Sequence, residues 1–305
     1  MYYTAKVRLF GDNQSKSGQK SVVCRNRAFA IVIEEYSPYI WFSLILFILI
    51  NYYPSFFLLR QHLAIAVVLL SIKYIIKRVS IKFGICALLA FSLHATSVLF
   101  VPLYFLYGLK NNKFNMFLVA LGSIFTVVLF YSFQDYVNLY SAYYAHYFEA
   151  EAETAAWQRA LLKIYIAVVY IYVMGKKYYD EGINRIVFYG MVLNIVICIA
   201  AMNIFAAHRL REYFAYADFI GVPIMIKQAT MTKGFKKPLI ILLVAVYVAA
   251  LVITFINFIQ GGNMNNEYQF FWNGQIRWLY YDTRLIFDHF LTDCHRKAVP
   301  LPCNT

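Results

Sequence analysis

Residues 56–107 read FFLLRQHLAIAVVLLSIKYIIKRVSIKFGICALLAFSLHATSVLFVPLYFLY, and the rest of the chain is organised around them. Arg60 heads an apolar run that ends on a basic cluster, Lys73, Lys77, Arg78 and Lys82, and the next apolar run carries His94 in its interior. Ionisable groups at membrane depth are costly, so both residues need a reason to be there. Residues 81–107 are followed by Lys110 and Lys113. A single span would set those lysines across the membrane from Lys77–Lys82, against the tendency of basic loops to stay on the cytoplasmic side. Two short helices meeting near Ser92–Thr96 keep both clusters on one side. Each half has about 13 residues, or roughly 20 Å, short of a full span. The expected element is a hairpin or re-entrant pair with His94 near its tip, tolerated only inside protein or beside a water-filled cavity.

Composition agrees with a membrane setting. Of 305 residues 62% are hydrophobic and 14% charged, against roughly 25% charged in soluble domains. The 28 Lys and Arg outnumber 15 acids, but they fall in short clusters between apolar runs, as orientation signals do. With no soluble basic domain, nucleic acid is not an expected partner. The five cysteines form no C-x-x-C pair and no zinc spacing with histidine. No glycine-rich nucleotide loop, H-E-x-x-H or D-x-D is present, so neither metal nor cofactor is expected.

Outward from the central stretch, residues 1–27 form a polar, basic leader, expected in the cytoplasm; they lack the apolar core of a signal peptide. Residues 28–260 form the transmembrane domain. Spans are expected at about 39–57, 60–76, 114–133, 163–174, 186–207, 213–226 and 238–258, with an outer loop at about 134–162 and a polar outer tail at 261–305. The fold class is all-α, a polytopic membrane protein with seven or eight transmembrane or re-entrant helices. In this threading the outer basic residues are Arg60, Arg159, Lys163, Arg209 and Arg211, mostly arginine, while the inner set is mostly lysine. Planar guanidinium suits bidentate phosphate binding, which points the chemistry to the outer face.

Leu59-Arg60-Gln61 at a helix start, the basic turn Lys77-Arg78, and His94-Ala95-Thr96-Ser97 in an apolar run together resemble the EpsG family of Wzy-like polysaccharide polymerases. Arg209, four residues before Tyr213-Phe214, matches a third element of that pattern. The resemblance covers roughly residues 30–260. It implies a fold like that of membrane glycosyltransferases with lipid-linked donors. It also implies polymerisation of undecaprenyl-pyrophosphate-linked oligosaccharide repeats into exopolysaccharide, capsule or O-antigen. The reaction would take place at the outer face of the bacterial cytoplasmic membrane, with chain-length regulator and flippase proteins as partners beside membrane lipid. Relatives carry further N-terminal helices, and 264–305 does not resemble their ending, so a truncated, frameshifted or divergent member is the expectation.

The candidate catalytic residues are Arg60, His94 and Arg209, and the candidate substrate-binding residues are Gln61, Arg211, Tyr213, Glu149 and Tyr144. Arg60 and Arg209 would hold donor phosphates, or else snorkel to headgroups. Arg211 is nearly opposite Arg209 on an α-helix, so the two are not expected to share one cavity. His94 would be a general base or a hydrogen-bond donor to phosphate or sugar, or else a packing residue. Glu149, Glu151 and Glu153 are alternative bases or a solvated loop. The tyrosines 140, 143, 144 and 147 form one helical stripe, suited to the membrane interface or to sugar rings. The rivals to a polymerase are a non-catalytic flippase of lipid-linked sugars, an inactive polymerase fragment, and an acyltransferase.

Overall fold

The computed structural model describes residues 22–52, 58–109, 156–179, 182–200, 205–232 and 236–260, together with parts of 114–128. The described residues are helical, with no strand among them. Helix α1 (22–36) takes in the end of the polar leader and fully buries Arg25. Helix α2, Ile40–Phe47, passes into a π-helical turn, Ile48–Tyr52. The chain then continues through α3, Leu59–Leu70, and α4, Ile72–Ile76. These two are separated only by Ser71, whose hydroxyl turns back to the Val68 carbonyl at 2.6 Å.

The expected hairpin is present. Helix α5, Ser80–Leu93, stops at His94, which is extended (φ −157°, ψ 118°). A 3₁₀ tip, Ala95–Phe100, leads into α6, Val101–Gly108. The chain has folded back: Phe83 near the start of α5 stacks on Tyr104 of α6 with centroids 4.9 Å apart. Arg78 clamps the open end, donating from Nη1 to the Tyr104 carbonyl at 2.6 Å and lying 4.5 Å over the Tyr104 ring. Its left-handed backbone (φ 55°) ends α4 in the way an αL cap does, in a conformation uncommon for a residue with Cβ.

Four longer helices complete the bundle. They are α7, Ala156–Met174, α8, Ile183–Ala200, α9, Tyr216–Met231, and α10, Lys236–Gln260. A 3₁₀ segment, Phe205–Phe214, links α8 to α9 and lies against α8. Helix α7 packs on α8, α9 and α10; α9 also packs on α2, and α6 packs on α8. Glycine permits the closest of these approaches. A Cβ on Gly190 would stand 2.5 Å from the Tyr216 hydroxyl, and one on Gly221 would stand 2.7 Å from Val187.

Among the described residues three helices are long and apolar enough to cross a membrane: Leu59–Ile76, Ile183–Ala200 and Lys236–Ile256. The shorter apolar helices are Ile40–Asn51, Ser80–Leu93, Ala95–Gly108 and Phe117–Thr126. The expected count of seven or eight is thus matched in part. Of the remaining elements, α9 has 16 residues and carries Asp218, and α7 carries Arg159 and Lys163. Helices α5 and α10 expose rows of large apolar side chains, Ile81, Leu88 and Phe91 on one, Leu242, Val246 and Ile253 on the other. Such faces suit lipid and point to a membrane protein.

Candidate functional site

The bundle has two chemically different ends. At one, Arg78 meets Tyr104, Arg185 donates to the Tyr107 carbonyl at 3.0 Å, and the Gly182 amide donates to the Tyr107 hydroxyl at 3.0 Å. The basic turns that precede α5 and α8 therefore gather at the open end of the hairpin. Arg60 lies at the opposite end of the α3–α4 rod from Arg78, on the same side as the hairpin tip.

At that second end the tip packs against the Phe205–Phe214 segment. The Tyr213 hydroxyl is 3.0 Å from Thr96 Oγ1, although the residues are 117 apart in sequence. Thr96 Oγ1 is in turn 2.9 Å from His94 Nδ1. Phe100 stacks on Phe214 beneath the contact, centroids 6.0 Å apart. The third member of the contact is backbone: the Thr96 amide donates to His94 Nδ1 at 3.4 Å, so His94 caps the tip helix with its own ring.

The Thr96 amide can only donate, so towards it Nδ1 is the acceptor. The donor and acceptor roles of the Thr96 and Tyr213 hydroxyls follow the tautomer of the His94 ring.

Beside this contact lies a buried ionic cluster. Lys163 of α7 pairs with Asp218 of α9, and its Nζ stands 3.4 Å from the Tyr247 hydroxyl of α10. Asp218 has 1% of its side chain exposed. Arg211 Nε donates to Glu212 Oε1 at 3.3 Å. Glu212 is buried, and its Oε2 has no hydrogen-bond partner among the described residues. Burial pushes the Glu212 carboxyl above the usual range, with Arg211 and Lys163 pulling down and Asp218 pushing up.

The sequence-predicted residues are distributed as follows. His94 and Tyr213 come together through Thr96. Arg211 lies two residues before Tyr213 and is tied to Glu212. Position 209 lies in the same segment, one 3₁₀ turn before Glu212. The segment is 3₁₀ rather than α. Arg60 is exposed in the first turn of α3, and Gln61 behind it is buried. Helix α3 touches the hairpin tip. Glu149 and Tyr144 lie outside the described residues, as do the other loop glutamates and the tyrosine stripe.

Sequence reasoning missed Thr96, Glu212, Lys163, Asp218 and Tyr247 as site residues. A carboxylate inside the apolar run YADFIGVPIMI was the available signal for Asp218. No group of three or more His, Cys, Asp or Glu side chains suited to a metal ion occurs among the described residues.

Compared with known proteins, the chain matches the profile of the EpsG family over residues 28–271. No curated protein and no solved structure matches it.

Proposed function

Because the chain belongs to the EpsG family, we propose that it is a polysaccharide polymerase acting on undecaprenyl-pyrophosphate-linked oligosaccharide repeats. It would work at the outer face of the bacterial cytoplasmic membrane, with α7, α9 and the hairpin completing a set of seven or eight spanning or re-entrant helices. The growing glycan moves from its lipid pyrophosphate to a hydroxyl of the next lipid-linked repeat. One observation carries this reading: the two segments that bear the resemblance, 94–97 and 209–214, meet through the Thr96–Tyr213 hydrogen bond and the Phe100–Phe214 stack.

In this reading Arg60 and Arg209, with Arg211, neutralise the charge that grows on the departing pyrophosphate. His94 donates from Nε2 to the acceptor sugar or to a phosphate oxygen. Gln61 and Tyr213 support these groups, and Glu149 and Tyr144 border the sugar from the outer loop. The resemblance gives flippase and chain-length proteins as partners.

The test is release of undecaprenyl pyrophosphate from synthetic lipid-linked repeats by the purified chain. A flippase releases none. Arg60→Lys should lose rate nearly as severely as Arg60→Ala, about a hundredfold for one such transition-state contact, because lysine lacks the bidentate fork. Normal release by a well-expressed Arg60→Lys variant would assign Arg60 to the headgroups instead.

A further inference from the structure

We propose that the turn between α4 and α5 is a binding site for an anionic phospholipid, with the phosphate at Lys73 and Lys82 and an acyl chain along α5. The proposal stands apart from the polymerase reading and does not depend on it.

The two lysines are drawn to one place. Lys73 of α4 holds its Nζ 5.3 Å from the centroid of the Tyr74 ring, and Lys82 of α5 holds its own 5.9 Å from the same centroid. Lys73 also reaches towards α5, where it acts electrostatically on Cys86, one turn after Lys82. Like charges gathered around one ring repel each other, and the ring face offsets only part of that repulsion. A neighbouring carboxylate would ordinarily supply the balance. Here the sequence has no Asp or Glu anywhere from residue 36 to residue 134. Among the described residues the ion pairs are Lys163–Asp218 and Arg211–Glu212, and none reaches Lys73, Lys77 or Lys82. Arg78, the other cation of the turn, is already committed to the Tyr104 carbonyl and ring. The turn thus presents cations with no anion of its own.

Helix α5 indicates what kind of anion fits. Ile85 and Leu89 follow Lys82 by three and seven residues, so the three side chains share one stripe of the helix. Lys82 is exposed, and Ile85 and Leu89 are 55% and 56% exposed. Exposed Ile81 and Leu88 widen the stripe. A cationic foot and an apolar shaft on one face match a molecule that is anionic at one end and apolar along the rest. Free phosphate would meet the lysines and leave the shaft bare. A zwitterionic lipid would fill the shaft, but its own cation competes for its phosphate. A phospholipid of net negative charge satisfies both parts. Seated there, it ties α4 to α5 across the left-handed turn at Arg78.

The experiment is native mass spectrometry of the full chain, released from nanodiscs of phosphatidylcholine and phosphatidylglycerol in equal amounts. The wild type should retain a phosphatidylglycerol after the remaining lipid is stripped. Lys82→Gln, which removes an exposed side chain, should weaken that retention about fivefold, and Lys73→Gln with Lys82→Gln on the order of 30-fold. Lys73→Arg with Lys82→Arg should keep the lipid, which separates lost charge from lost folding. Removing as many charges from another basic turn, with Lys176→Gln and Lys177→Gln, should leave it in place. An excess of glycerol phosphate should not displace it. Equal retention of the two phospholipids by the wild type would overturn the site. So would equal loss in both glutamine pairs, which would leave only the general attraction of basic turns for anionic surfaces. Displacement by glycerol phosphate would overturn the lipid and assign the lysines to a free phosphate ester.

Discussion

Lys163 and Asp218 show how a residue's surroundings decide its worth. Two opposite charges taken from water attract strongly, yet the cost of desolvating them is of similar size. Removing one partner is therefore much worse than removing both. Asp218→Ala should cost about 3–5 kcal/mol, whereas the double variant Lys163→Met, Asp218→Leu should be close to neutral. Thermal unfolding of the detergent-solubilised variants reads the difference, and equal damage from single and double replacement would mean the ion pair is not the source. The same residues mark the limit of what the sequence discloses. The contact between the His94 and Tyr213 patterns joins two short local signals. Asp218 was not legible in the same way, because its partner is on another helix: Lys163 lies 55 positions away in the chain. Nor could the sequence reveal that His94 Nδ1 meets the Thr96 amide, which depends on the chain breaking helix at residue 94.

At the level of elements, the hairpin was the legible part. Charge placement required the chain to turn back near 92–96, and α5 and α6 meet there. The 3₁₀ form of 205–214 was not readable, since α and 3₁₀ turns carry nearly the same apolar pattern over so short a run. Helices α8 and α9 approach each other where two Cβ atoms are missing, at Gly190 and Gly221. The Tyr216 hydroxyl donates to the Ile186 carbonyl at 3.0 Å and passes over Gly190. Gly190→Ala would push that ring aside, and overpacking of this kind costs about 1–3 kcal/mol. Because Tyr216 also meets Phe100 of the hairpin tip edge-on, centroids 5.9 Å apart, the strain should spread to the site. Gly190→Ala is therefore expected to lower both the melting temperature and the release rate. Tyr216→Phe, which keeps the ring and drops the hydroxyl, should be far milder on the rate. A Gly190→Ala protein with unchanged melting temperature would show that α8 and α9 can separate freely.

Taken whole, the molecule sorts its basic turns to one end and its ionic cluster to the other, which gives the orientation a direct check. Cysteines introduced at positions 79 and 184 should resist a membrane-impermeant thiol reagent added from outside, while one at position 158 should react. Labelling at 79 or 184 would invert the proposed orientation. The hairpin has a further consequence at this scale. Helix α5 has 14 residues, so it rises about 21 Å from the basic end, and the hydrocarbon layer is about 30 Å thick. A tip that starts from one surface stops on the order of 9 Å below the other. Lipid over it must thin, or water must fill the dip. The depth of that depression is set by the bilayer as much as by the protein. Long-chain lipids would deepen it and draw the headgroups away from His94, and short-chain lipids would bring them level. Turnover should therefore peak at one acyl-chain length, so that the membrane itself acts as a ruler for the reaction.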